Sequence, residues 1–125
     1  MNKKIIQTDN APKAIGPYSQ AIEANGFLYI SGQIPVNPQN GQIPEGIDAQ
    51  TEQVMQNIGS ILQAAGYDYK DVIKSTCLLS DIANFKAMNE IYAKYYTINC
   101  PARAAFAVKD LPMGVLVEIE TIAAK

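Results

Sequence analysis

Apolar residues recur at Ile47, Val54, Met55, Ile58, Ile61, Leu62 and Ala65, the spacing of one helix face, and Gly66 follows where a left-handed cap would end the helix. The spacing predicts an amphipathic helix over residues 47–65. A second helix is predicted over 82–95, with Ile82, Phe85, Met88, Ile91, Tyr92 and Tyr95 on one side and Ser80-Asp81 available as its cap. Residues 19–23 and 27–34 flank Ala24-Asn25-Gly26, whose Asn-Gly pair signals a β-hairpin. The β-branched run 72–79 reads as a strand. Residues 102–108 and 115–123 read as two more, joined by a turn around Asp110-Leu111-Pro112-Met113-Gly114. The Pro/Gly-rich stretch 35–46 reads as one long ordered loop, and Asn99-Cys100-Pro101 ends the second helix.

The order strand-strand-helix-strand-helix-strand-strand implies an α+β fold, a single sheet with both helices packed on one face. The strands are apolar at both alternating sets: Leu28 and Ile30 against Phe27 and Tyr29, and Ile73 and Cys77 against Val72 and Leu78. A sheet apolar on both faces needs cover on both, and here another subunit would have to supply the second layer. An oligomer is expected on physical grounds alone.

A chain of 125 residues, 48% hydrophobic and 18% charged, suits one globular domain spanning 1–125. The apolar start at Ile5-Ile6 breaks at Gln7-Thr8-Asp9, unlike a signal peptide, so a cytoplasmic location is expected. No apolar run approaches the roughly 18 residues of a membrane span. A net charge of -2 argues against a nucleic-acid partner, which is bound largely through Lys and Arg on phosphates. Cys77 and Cys100 match no disulfide framework or zinc pattern; Cys77 reads as buried, Cys100 as more accessible. The chain has no histidine, which removes Ser-His-Asp and Cys-His catalysis, His-ligated metals and imidazole shuttles.

Chemistry must then come from carboxylates, Arg, Lys, Tyr, hydroxyls, backbone or water. Arg103 lies inside an otherwise apolar strand, and Glu118 and Glu120 inside the next. If those strands pair antiparallel around their turn, Arg103 and one glutamate share a face, either as a simple cross-strand ion pair or around a common ligand. Gly16-Pro17-Tyr18-Ser19 is a turn whose tyrosine either packs or closes over a pocket. Ser31-Gly32 marks a close backbone approach to a ligand or a bulge. Asn89 interrupts the apolar face of the second helix, as a satisfied amide or as a ligand contact.

These segments resemble the YjgF/RidA family, the reactive intermediate deaminases, over nearly the entire chain. The strongest element is Pro101-Ala102-Arg103-Ala104-Ala105-Phe106, followed after Lys109-Asp110-Leu111 by Val117-Glu118-Ile119. Asn10-Ala11-Pro12, Ala14-Ile15-Gly16-Pro17-Tyr18-Ser19-Gln20-Ala21 and Ser31-Gly32-Gln33-Ile34-Pro35 are further matches. The resemblance implies a chorismate-mutase-like fold and a homotrimer with three intersubunit clefts. It also implies hydrolysis of 2-iminobutanoate and 2-iminopropanoate, released by pyridoxal-phosphate-dependent dehydratases, to 2-oxo acids and ammonia, with no cofactor or metal of its own. It further implies that Arg103 binds the substrate carboxylate and Glu118 positions and activates water. Tyr18 would close the cleft, Ser31, Gly32 and Asn89 would line it, and the Ala105 backbone would face the substrate.

Two departures stand out. Many relatives carry cysteine where this chain has Ala105, and the Thr97-Ile98-Asn99-Cys100 loop is shorter than in some of them. Three other functions fit parts of the pattern: a non-catalytic trimer binding small carboxylates such as 2-oxo acids, a translation inhibitor cleaving RNA, and a chaperone-like protein. Glu118 separates the first from a deaminase, since carboxylate binding needs no general base.

Overall fold

Asn25 and Gly26 adopt positive φ values of 54° and 81°, the backbone that a two-residue hairpin turn matched to strand twist requires. They join β2 (Ala21–Ala24) to β3 (Phe27–Gln33) in the expected antiparallel hairpin. The computed structural model describes residues 2–125. It adds β1 (Lys4–Ile6), which pairs antiparallel with β2 and is too short to show periodicity in the sequence.

Helix α1 (Ile47–Ala64) follows the long loop and buries Val54, Met55, Ile58, Ile61 and Leu62. Gly66 closes it at φ 82°, with Gly66 N–H donating to Gln63 O and Tyr67 N–H to Leu62 O, so two terminal carbonyls are satisfied. After β4 (Val72–Leu79), Asp81 accepts from Ala83 N–H and starts a short 3-10 turn, Ile82–Asn84, that leads into α2 (Phe85–Tyr92). The second helix is thus shorter than its apolar pattern, and Tyr95 lies in the turn beyond it.

The last two strands are β5 (Ala102–Ala107) and β6 (Val117–Ala124). All six form one mixed sheet in the order β1-β2-β3-β6-β4-β5. Val117, Ile119, Thr121 and Ala123 of β6 and Ser75, Cys77 and Leu79 of β4 are buried beneath the helices. The opposite face is open, with Tyr29 and Phe106 each exposed to 47%. The single sheet, the two helices on one side and the bare apolar face agree with the sequence reading.

The expected hairpin between the last two strands is not formed. β4 inserts between them, parallel to β5 and antiparallel to β6. An eight-residue strand with apolar residues on both sides is most stable flanked by two neighbours, which leaves the alanine-rich β5 at the edge. No described helix is long and apolar enough to cross a membrane.

Candidate active site

Arg103 stands opposite Ser75 on the parallel β4–β5 ladder, so it shares the helix-covered face with Ser75 and Cys77. At the sheet edge its guanidinium passes over α2 and meets three side chains. Asn89 Oδ1 accepts a 2.7 Å hydrogen bond from Nη1, the Tyr92 ring centroid lies 4.9 Å from Cζ and the Phe85 centroid 5.5 Å. Phe85, Asn89 and Tyr92 sit four and three residues apart, one stripe of the helix. The polar partner is an amide rather than a carboxylate, so the cation is aimed but not neutralised. Ala105 follows two residues on, opposite Cys77. Burial pushes the Cys77 thiol up to about 11, which leaves it unreactive.

Glu118 stands opposite Leu78 on the other ladder, on the open face. Arg103 and Glu118 therefore point to opposite sides of the same sheet, and neither a cross-strand ion pair nor a shared ligand within one copy is available to them. The half-buried Glu118 carboxyl is held above the usual carboxylate range, first by burial and then by the like charge of Glu120 two residues along. Its position depends on Gly32: a Cβ there would collide with Glu118 Oε2 and lie 2.9 Å from Cδ. The β3–β6 register slips between Ile30 and Gln33, so Ser31-Gly32 is a bulge that makes room for this carboxyl.

Ser31 Oγ donates a 2.6 Å hydrogen bond to Ser19 O, tying β3 to the Gly16–Ser19 turn that presents the 54%-exposed Tyr18. The Ser31 hydroxyl is thereby committed to the chain. Tyr18 and Gly32 border a pocket of about 480 Å³, walled also by Ala11, Ile15, Ile34 and Met113. Buried amides fix its walls. Gln20 Nε2 donates to Pro12 O at 2.8 Å while its Oε1 accepts from Thr8 N–H, and Asn57 Nδ2 donates to Ile34 O and Val36 O. A slightly larger hollow of about 510 Å³, lined by Gln56, Gly59 and Tyr69 among others, contains none of these groups.

Sequence reasoning assigned Phe85 and Tyr92 to the core; their spacing with Asn89 was the available signal for a cage around a cation. Gln20 and Asn57 gave no signal beyond being polar. Among the described residues no cluster of three His, Cys, Asp or Glu is placed to hold a metal ion.

One copy thus carries two groups of side chains on opposite faces: an uncompensated arginine with Asn89 and Ala105, and a glutamate against Gly32, whose neighbour Ser31 is tied to the turn that presents Tyr18. The fold is that of a group of small α+β proteins. Escherichia coli TdcF, solved with bound serine, matches with a TM-score of 0.94 at 39% identity over 98% of each chain. RidA from an Antarctic Psychrobacter matches at 0.95 and 43%, over 98% of this chain and 99% of its own. The mouse 2-iminobutanoate/2-iminopropanoate deaminase is 48% identical over 97% of this chain and 90% of its own length. Residues 8–125 match the family described as Endoribonuclease L-PSP. The chain belongs to this family, the YjgF/RidA family.

Proposed function

We propose that the protein is a 2-imino acid deaminase acting on 2-iminobutanoate and 2-iminopropanoate, and that its active site is completed between copies of a homotrimer. The observation that carries this reading is the placement of Arg103 and Glu118 on opposite faces, each prepared for a partner that its own copy does not supply. Stacking the open faces would bury Tyr29 and Phe106 and bring Glu118 of one copy toward the edge strand of the next. The relatives named as deaminases support the chemistry.

The substrate presents a planar carboxylate beside an electrophilic C=N carbon. The Arg103 guanidinium, oriented by Asn89, Phe85 and Tyr92, would grip that carboxylate through two parallel N–H···O bonds. Glu118 accepts a proton as water adds to the imine carbon, and the resulting carbinolamine takes up a proton on nitrogen. The C–N bond then breaks to release ammonia and leave the 2-oxo acid. A carboxyl whose affinity for protons is raised by burial is a stronger base once ionised, which suits this step. The balance is one imino acid and one water in, one 2-oxo acid and one ammonia out, with no redox change and no cofactor.

A non-catalytic carboxylate-binding trimer would use the same arginine but has no need of Glu118. The endoribonuclease description of the family finds little support in a chain of net charge -2 without histidine. The test generates the imine in place with an amino-acid-processing enzyme and follows semicarbazone formation as the protein competes for it. Wild type should remove the imine and Arg103→Ala should not. Equal semicarbazone yield with and without wild-type protein would contradict the reading.

A further inference from the structure

Arg103 is exposed, whereas Tyr92 is 5% exposed and lies under it. Tyr92 cannot reach a bound substrate, so any effect it has on the site must pass through the guanidinium. Its ring face supports the cation from below while Asn89 fixes one edge, leaving the other N–H groups free to point outward. Tyr92 in turn packs against Tyr96, with ring centroids 4.7 Å apart and the planes tilted by 49°.

Beneath this pair is a row of hydroxyls. Ser75 stands opposite Arg103 on one ladder and opposite Thr121 on the other, so the three residues line up across β5, β4 and β6 on the helix-covered face. The Ser75 hydroxyl faces the phenols of both Tyr92 and Tyr96. Ser75 Oγ, Thr121 Oγ1, Tyr92 Oη and Tyr96 Oη are all fully buried, and none has a hydrogen-bond partner among protein groups at good geometry. Buried hydroxyls are almost always satisfied, by water where protein groups fall short, and a buried water needs two to four polar partners.

We infer that Tyr92 is a positioning residue for Arg103, and that its orientation is set by an internal hydration site enclosed by Ser75, Tyr92, Tyr96 and Thr121. The inference rests on the reading of Arg103 as a carboxylate anchor. Water held there ties the Tyr92 phenol to the sheet, so the ring stays in place beneath the guanidinium. Burial raises the proton affinity of the Tyr92 phenol, which therefore stays neutral and keeps its donor. The support acts on the bound substrate and on the transition state alike, so it affects carboxylate affinity rather than the chemical step.

The test compares Tyr92→Leu, Tyr92→Phe, Ser75→Ala and the Ser75→Ala/Tyr92→Phe pair in the full-length protein. KM and kcat are measured for imine hydrolysis, and Kd for 2-oxobutanoate by calorimetry. Loss of the ring in Tyr92→Leu should raise KM and Kd together by about 3- to 10-fold, the range a cation–π contact of this exposure supports, with kcat nearly unchanged. Tyr92→Phe and Ser75→Ala should each give a smaller rise in both constants, and the pair should be no worse than either alone, because both remove the same hydration site. Electron density for water between Ser75 Oγ and the two phenols is expected in a wild-type crystal structure. The inference is overturned if Tyr92→Leu folds with KM and Kd unaltered, or if the effects of Ser75→Ala and Tyr92→Phe simply add. Should Tyr92→Leu fail to fold, the coupling of the other two variants decides alone. A wild-type protein that neither hydrolyses the imine nor binds 2-oxobutanoate removes the carboxylate-anchor reading itself, and this inference with it.

Discussion

Glu118 fills the space that a side chain at residue 32 would need, so Gly32 and Glu118 form one unit across the β3–β6 ladder. A methyl group at Gly32 would meet a flexible side chain rather than backbone, which makes the conflict local. Gly32→Ala should therefore swing the carboxyl aside while the sheet survives. A displacement of about 1 Å at a reacting group costs on the order of 100-fold in rate. The expected result is a loss of that size in kcat, with Tm little changed, measured by imine hydrolysis and thermal unfolding.

Glu118→Gln keeps the shape of the side chain and removes the proposed base. General base catalysis contributes about 100- to 10,000-fold, so kcat should fall within that range while affinity for 2-oxobutanoate is retained. Stability should move the other way. A carboxyl held above its ordinary value in the folded chain contributes stability below that ordinary value and loses it as pH rises through the raised one. At neutral pH Glu118 is therefore a cost to folding, and Glu118→Gln should match or exceed the wild-type Tm. A clear fall in Tm at pH 7 with kcat intact would make Glu118 structural.

Glu120 lies on the same face as Glu118, two residues along β6, and raises its proton affinity. The proposed base would work only when ionised, so kcat/KM should fall as pH drops through the Glu118 value. Glu120→Gln removes the like charge and should move this acid limb to lower pH without abolishing activity. A pH profile identical to wild type would show that the two carboxylates are uncoupled.

Tyr29 and Phe106 are exposed on the open sheet face of a single copy. A charge placed at either would be desolvated if that face is covered by other copies. Phe106→Glu should therefore shift the protein from trimer to monomer in light scattering and remove activity, although residue 106 points away from Arg103.

The helices, the first hairpin and the single-sided sheet were legible because each rests on a local signal: the repeat ending at Gly66, the Asn25-Gly26 turn, the alternating apolar sets of β3 and β4. The position of β4 between β5 and β6 was not, since strand order is decided by which edge a strand joins and leaves no period in the sequence. That one difference reverses the reading of the site. Whether Arg103 and Glu118 share a face depends on the register of each against β4, and the ladders put Arg103 beside Ser75 and Glu118 beside Leu78. The candidate site residues came from the resemblance, while the commitment of Ser31 to Ser19 and the cage around Arg103 needed coordinates.

The central claim, a site built from Arg103 of one copy and Glu118 of another, is tested most directly by mixing two inactive variants. Arg103→Ala and Glu118→Gln chains are unfolded together, refolded and assayed against each variant refolded alone. In mixed trimers some clefts receive Arg103 from one chain and Glu118 from the other, so activity should reappear in the mixture to a substantial fraction of wild type. Mixed trimers, verified by a mass tag on one chain, that remain as inactive as either variant alone would contradict the account.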